Sequence, residues 1–71
     1  MKPIGELIKK ELERQERSVS WFAKKLSCNR ANIYNIFQRS SVDTALLLRI
    51  SKILRYNFFK DLYDEIEQGN S

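Results

Sequence analysis

The chain contains no histidine. It therefore lacks the side chain most often used for proton transfer near neutral pH and a frequent ligand of zinc. Its one cysteine, Cys28, has no partner for an internal disulfide and, without histidine, makes no cysteine–histidine metal site. These absences argue against an enzyme, a metal centre and a disulfide-stapled secreted fold. They lead us to expect a reducing, cytoplasmic setting with no cofactor. With two glycines and one proline in 71 residues, the chain is neither a flexible linker nor collagen-like. The longest apolar run is Ala45–Leu48, far short of the roughly 20 residues that a membrane span needs. The opening Met1-Lys2-Pro3-Ile4-Gly5-Glu6 passes directly into a charged, periodic pattern, unlike a signal peptide. A chain of this size buries only about 60% of its unfolded surface. One domain over residues 1–66 is expected, with 67–71 as a frayed tail and no second, ligand-sensing domain.

What is present is charge, unevenly placed. The net charge is +4. Residues 1–17 balance to +1 and residues 43–71 to −1, whereas Ser18–Val42 holds Lys24, Lys25, Arg30 and Arg39 and no acid. The whole excess lies in the middle, the pattern of a surface that meets a polyanion.

Every segment reads with the helical period and none with the alternation of a strand. Pro3 suits a first helical turn, and Ile4, Leu7, Ile8 and Leu12 give a helix over about 3–16, with Glu6→Lys10 and Glu13→Arg17 as four-apart ion pairs. Ser18 is placed to cap a second helix built on Val19, Phe22, Ala23 and Leu26. Asn29 is placed to cap a third, built on Ile33, Ile36 and Phe37 and ending near Gln38 or Arg39. Asp43 or Ser41 caps a fourth, which runs to about Leu54 and buries Leu46, Leu47, Ile50, Ile53 and Leu54. A turn or two over Phe58–Ile66 makes a fifth. The fold class is all-α, with five helices.

Two short helices thus meet at Ser27-Cys28-Asn29 inside the acid-free block. Ala23 is small where the helices cross, and Phe22, Leu26, Cys28, Ile33 and Ile36 are apolar anchors for one core. Ser18–Gln38 resembles the helix-turn-helix of the lambda-repressor-like (Cro/C1-type) DNA-binding family. Leu47–Leu54 resembles that family's fourth helix, and the likeness covers roughly Ile4–Leu62. Ser27 stands at the turn position where the family usually has glycine, and a left-handed backbone is expected there.

The resemblance implies that the third helix lies in the DNA major groove. On a helical wheel its face opposite the core holds Arg30, Ala31, Asn32, Tyr34, Asn35 and Gln38. Arg30 suits guanine, Asn35 or Gln38 suits adenine, Ala31 a thymine methyl and Tyr34 a phosphate. An ordinary solvated face would be rich in Glu and Lys, and this one has neither. Phosphate contacts are expected from Ser18, Ser20, Lys24, Lys25, Asn29, Arg39 and Ser40. For the lysines an outer, solvated position explains the residue nearly as well, and for Asn29 capping alone does. Trp21 projects opposite Phe22 and Ala23, either exposed for contact or covered by another segment, such as one near the N-terminus. The cost of an exposed indole favours cover.

Leu48, Tyr56, Phe58, Phe59, Leu62 and Tyr63, with Ile66, are more apolar material than so small a core requires. They are candidates either for that core or for a homodimer face. The family's habit of pairing through its fourth and fifth helices implies a two-fold dimer on a palindromic operator. Asp61, Asp64, Glu65 and Glu67 read as a solvated face rather than a metal site. The expected function is a sequence-specific, double-stranded-DNA-binding regulator of repressor type. The alternative is a protein-interaction module of the same fold that holds a protein partner at its aromatic C-terminal end. An enzyme is the weakest reading, with Cys28 expected to be buried and inert, and a single-strand RNA binder would need more aromatic platforms than Tyr34.

Overall fold

The computed structural model describes residues 3–69. Five helices follow in order: α1 Ile4–Arg14, α2 Val19–Lys25, α3 Arg30–Phe37, α4 Thr44–Leu54 and α5 Phe58–Gly69. The described residues hold no strand, and none of their helices is long and apolar enough to cross a membrane.

Side-chain caps begin four of the helices, α5 among them through Asn57 Oδ1, which accepts from the Lys60 N–H at 3.3 Å. Ser18 Oγ accepts from the Trp21 N–H at 3.0 Å, Asn29 Oδ1 from the Asn32 N–H at 2.9 Å and Asp43 Oδ1 from the Leu46 N–H at 2.7 Å, each satisfying a donor the helix itself leaves open. Of the two caps expected for α4, Asp43 serves. Pro3 precedes α1 as its N-cap, with ψ 144°, instead of occupying the first turn. It has no side-chain acceptor to offer, so α1 borrows one. The Gly5 N–H donates to the Arg39 carbonyl at 3.0 Å, and the Ile4 N–H to the Ser40 carbonyl at 3.4 Å. The start of α1 is thereby seated on the exit of α3.

Three connections end in the left-handed turn usually given to glycine, at Glu16 (φ 57°), Ser27 (φ 58°) and Arg55 (φ 52°). In each, the next N–H reaches back five residues: Arg17 to Leu12 O, Cys28 to Ala23 O and Tyr56 to Ser51 O. This Schellman closure satisfies otherwise orphaned carbonyls. Ser27 was expected here from the sequence; Glu16 and Arg55 were not. The turn at Glu16 ends α1 two residues short of the expected 16 and takes Arg17 off the helix. Glu13 and Arg17 therefore do not form the expected four-apart pair, while Lys10 and Glu6 do, at 3.6 Å.

Ile4, Ile8, Leu12, Phe22, Ala23, Leu26, Ile33, Ile36, Leu47, Ile50, Leu54 and Phe58 form one buried cluster. Three expectations are corrected at its edge. Phe37, Leu46 and Ile53 are half-buried rather than buried, because they lie on the flanks of their helices. Cys28 is likewise half-buried, at the turn. Phe58 is fully buried at the first position of α5, so it belongs to the core and drops out as a dimer-face candidate. The last helix makes three turns and runs to Gly69, which carries the backbone past the boundary expected at 66. Asn70 and Ser71, the end of the expected tail, lie outside the described residues, as do Met1 and Lys2.

One polar tie crosses the core. Glu11 is almost fully buried and accepts from Arg14 Nε at 2.9 Å, Arg14 Nη2 at 2.5 Å and Gln15 Nε2 at 2.6 Å. Gln15 Nε2 also donates to the Leu54 carbonyl at 2.7 Å. The hydrogen bonds from Arg14 hold the Glu11 carboxyl below the usual carboxylate range, against burial, which pushes it up. The tie fixes the end of α1 to the end of α4.

Candidate nucleic-acid interface

The eight residues of α3 bury Ile33 and Ile36 and leave Arg30, Ala31, Asn32, Tyr34 and Asn35 exposed, with Gln38 exposed at the C-cap. All six side chains expected to read bases therefore stand on open surface. Two hollows flank the helix and take up four of them. One, of about 360 Å³, brings Asn32, Asn35 and Arg39 together with Leu46 and Arg49 on the first half of α4. The other, of about 400 Å³, places Tyr34 and Gln38 beside Pro3, Glu6 and Lys9 of the α1 start. Tyr34 is held at an angle there by an edge-on contact with Phe37, with ring centres 6.2 Å apart and planes at 82°.

Arg49 was not anticipated. Its guanidinium donates to the Leu26 carbonyl at 3.3 Å, which pins α4 to the last residue before the turn. In the sequence Arg49 is one more basic residue on an amphipathic helix, and nothing there says that the helix passes beneath that carbonyl. Gly5 was also missed. A Cβ at that position would lie 2.5 Å from the Phe37 carbonyl oxygen and closer still to that of Ile36. The glycine is what lets α1 press against the end of α3.

Of the residues expected at phosphates, Ser18 and Asn29 spend an oxygen on capping, yet the serine hydroxyl proton and the asparagine NH₂ remain available as donors. Ser20, Lys24, Arg39 and Ser40 are exposed. Lys25 stands apart. It lies 6.0 Å from the centre of the Trp21 ring and lines a groove to which α3 contributes nothing. It turns that way because consecutive helical residues point about 100° apart. Trp21 is half-buried, and the guanidinium carbon of Arg17 lies over its ring at 4.6 Å from the centre.

At the other end, Leu48, Tyr63 and Ile66 are 46%, 59% and 62% exposed, and Phe59 and Leu62 are half-buried. Tyr56 is half-buried against Phe58 and donates to Asp61 Oδ1 at 3.1 Å. Burial first, and that carboxylate second, push the phenol pKa up.

No protein-family model, curated protein or solved structure matches this chain. The surface itself carries the functional argument.

Proposed function

We propose that the chain is a sequence-specific double-stranded-DNA-binding regulator of the lambda-repressor-like kind, acting sterically by occupying its site. The observation that carries the reading is the α3 surface. Arg30, Ala31, Asn32, Tyr34, Asn35 and Gln38 are exposed together on one short helix, with no carboxylate among them. Arginine, asparagine and glutamine are the side chains that pair bidentately with base edges. Around them Ser18, Ser20, Lys24, Arg39 and Ser40 serve phosphates. The acid-free block puts no carboxylate of its own against the duplex, and Glu6, the one acid beside Tyr34 and Gln38, is paired with Lys10.

Exposed apolar side chains on α4 and α5 support a homodimer. In a two-fold pair through Leu48, Phe59, Leu62 and Tyr63, reading adjacent major grooves on one face of the duplex requires the two α3 helices to stand about 34 Å apart, one turn. The operator is then an inverted repeat.

The test is in vitro selection from random duplex DNA at near-physiological salt, run with the wild-type chain and with Asn35→Ala. The wild type enriches an inverted repeat with half-site centres about 10 base pairs apart. Asn35→Ala loses preference at one base pair per half-site and weakens cognate binding by about 1–3 kcal/mol, with random-sequence binding nearly unchanged. Equal losses on both DNAs, or no enriched sequence, refute the reading.

A further inference from the structure

A second basic surface lies apart from α3. A groove of about 920 Å³ runs between the α1–α2 turn, the outer side of α2 and the end of α4. Arg17, Lys25, Lys52 and Arg55 line it over Trp21 and Ile53, and no carboxylate does. Arg17 and Lys25 lie over the Trp21 ring, and the C-terminal dipole of α4, equivalent to about half a negative charge, is too small to account for both Lys52 and Arg55. No ion pair among the described residues uses them, the pairs there being Lys10–Glu6 and Arg14–Glu11.

The chain carries the complement of this groove on its last helix. Asp64, Glu65 and Glu67 follow one another along α5 without a basic partner among the described residues. Phe59, Tyr63 and Ile66 recur at a spacing that places them in one stripe, and Tyr63 and Ile66 stand uncovered. Here is an acidic helix with an apolar stripe, and there a cationic groove with an apolar floor. The two surfaces also meet at an edge. The shallow hollow around Leu48, Tyr56 and Phe59 shares Lys52 and Arg55 with the groove.

We propose that the groove receives the C-terminal half of α5 from a second copy of this chain, its carboxylates against Arg17, Lys25, Lys52 and Arg55 and its stripe toward Trp21 and Ile53. The proposal rests on the homodimer part of the reading above and gives that dimer its register. By two-fold symmetry each copy supplies one helix and one groove, so the contact occurs twice. The apolar stripe supplies most of the affinity. The charges select the partner surface and the orientation, since exposed pairs contribute little individually but like charges brought together are strongly disfavoured.

The experiment is sedimentation equilibrium of the full chain at low and moderate salt. Four proteins are compared: wild type, Lys52→Glu/Arg55→Glu, Asp64→Lys/Glu67→Lys, and the variant with all four changes. Each pair of reversals raises the dimer Kd about tenfold or more, and combining them restores it to within a few-fold of wild type. Because both sets of residues are exposed, far-UV circular dichroism confirms the fold of each variant. The acidic reversal also tests the contact without touching the groove. Unchanged Kd in both reversed variants, or no recovery on combining them, overturns the groove contact but leaves the dimer. A wild-type chain that stays monomeric at every concentration, with and without its selected DNA, overturns the dimer as well, while the selection result still decides DNA reading. A groove reversal that spares self-association yet weakens DNA binding and flattens its salt dependence also overturns the proposal, assigning the groove to phosphate.

Discussion

Gly5 gives a prediction whose sign separates helix propensity from tertiary packing. Gly5 lies in the first turn of α1, and by propensity alone Gly5→Ala stabilises by up to about 1 kcal/mol. The structure demands the opposite. Real Cβ atoms stay 3.0 Å or more from such neighbours, and the alanine Cβ would meet the Phe37 carbonyl oxygen at 2.5 Å. The start of α1 must therefore retreat by about 0.5 Å or more from the exit of α3. Both partners are backbone, so no side chain can swing aside. Overpacking of this kind costs about 1–3 kcal/mol. The retreat also loosens the Gly5–Arg39 and Ile4–Ser40 hydrogen bonds, each worth about 0.5–1.5 kcal/mol. Set against the propensity gain, the net loss is roughly 2–3 kcal/mol. A chain of this length is stable by only about 4–10 kcal/mol, and Tm should fall by about 10–20 °C. Far-UV circular dichroism melts at one protein concentration, checked by urea titration, measure it. A Tm equal to or above wild type would refute the packing argument and return the decision to propensity.

Ser27→Gly relieves a left-handed side-chain residue and should stabilise by about 0.5–1 kcal/mol after the extra entropy of glycine in the unfolded chain is subtracted; a thermal melt that moves down would contradict the φ of that turn. The Glu11 carboxyl is held below its ordinary pKa, so its contribution is complete above the unfolded value and is lost as pH falls through the folded one. Wild-type Tm should accordingly drop more steeply than that of Glu11→Gln between about pH 5 and pH 3, and parallel profiles would rule this out. Arg39→Ala should weaken cognate and random DNA alike and lower the slope of log K against log salt by about 0.9; a loss confined to the cognate site would make Arg39 a base reader.

The helices were legible because their caps and stripes are local. Ser18, Asn29 and Asp43 each stand three residues before the N–H they accept from, a spacing any reader of the sequence can find. The exposure of the six α3 side chains follows from the same periodicity. What escaped depends on which segment arrives from afar. Gly5 is a poor helix former until the carbonyls of Ile36 and Phe37 come within reach. Phe58 is one of several aromatics in a row, and only the direction in which the chain enters α5 turns it inward. Lys24 and Lys25 are neighbours in sequence yet serve different surfaces. Glu16 and Arg55 carry no signal for a left-handed turn, since the usual marker is glycine or asparagine.

The seating of α1 on the exit of α3 has a practical side. Pro3 borders the hollow that holds Tyr34 and Gln38, so a group attached at Pro3 would stand beside the surface proposed for DNA. An affinity tag fused there would crowd the duplex and depress measured binding for reasons unrelated to the bases. A small fluorophore at the same point would turn that proximity to use. Its emission would respond directly to an arriving operator and give a binding signal from an unlabelled DNA.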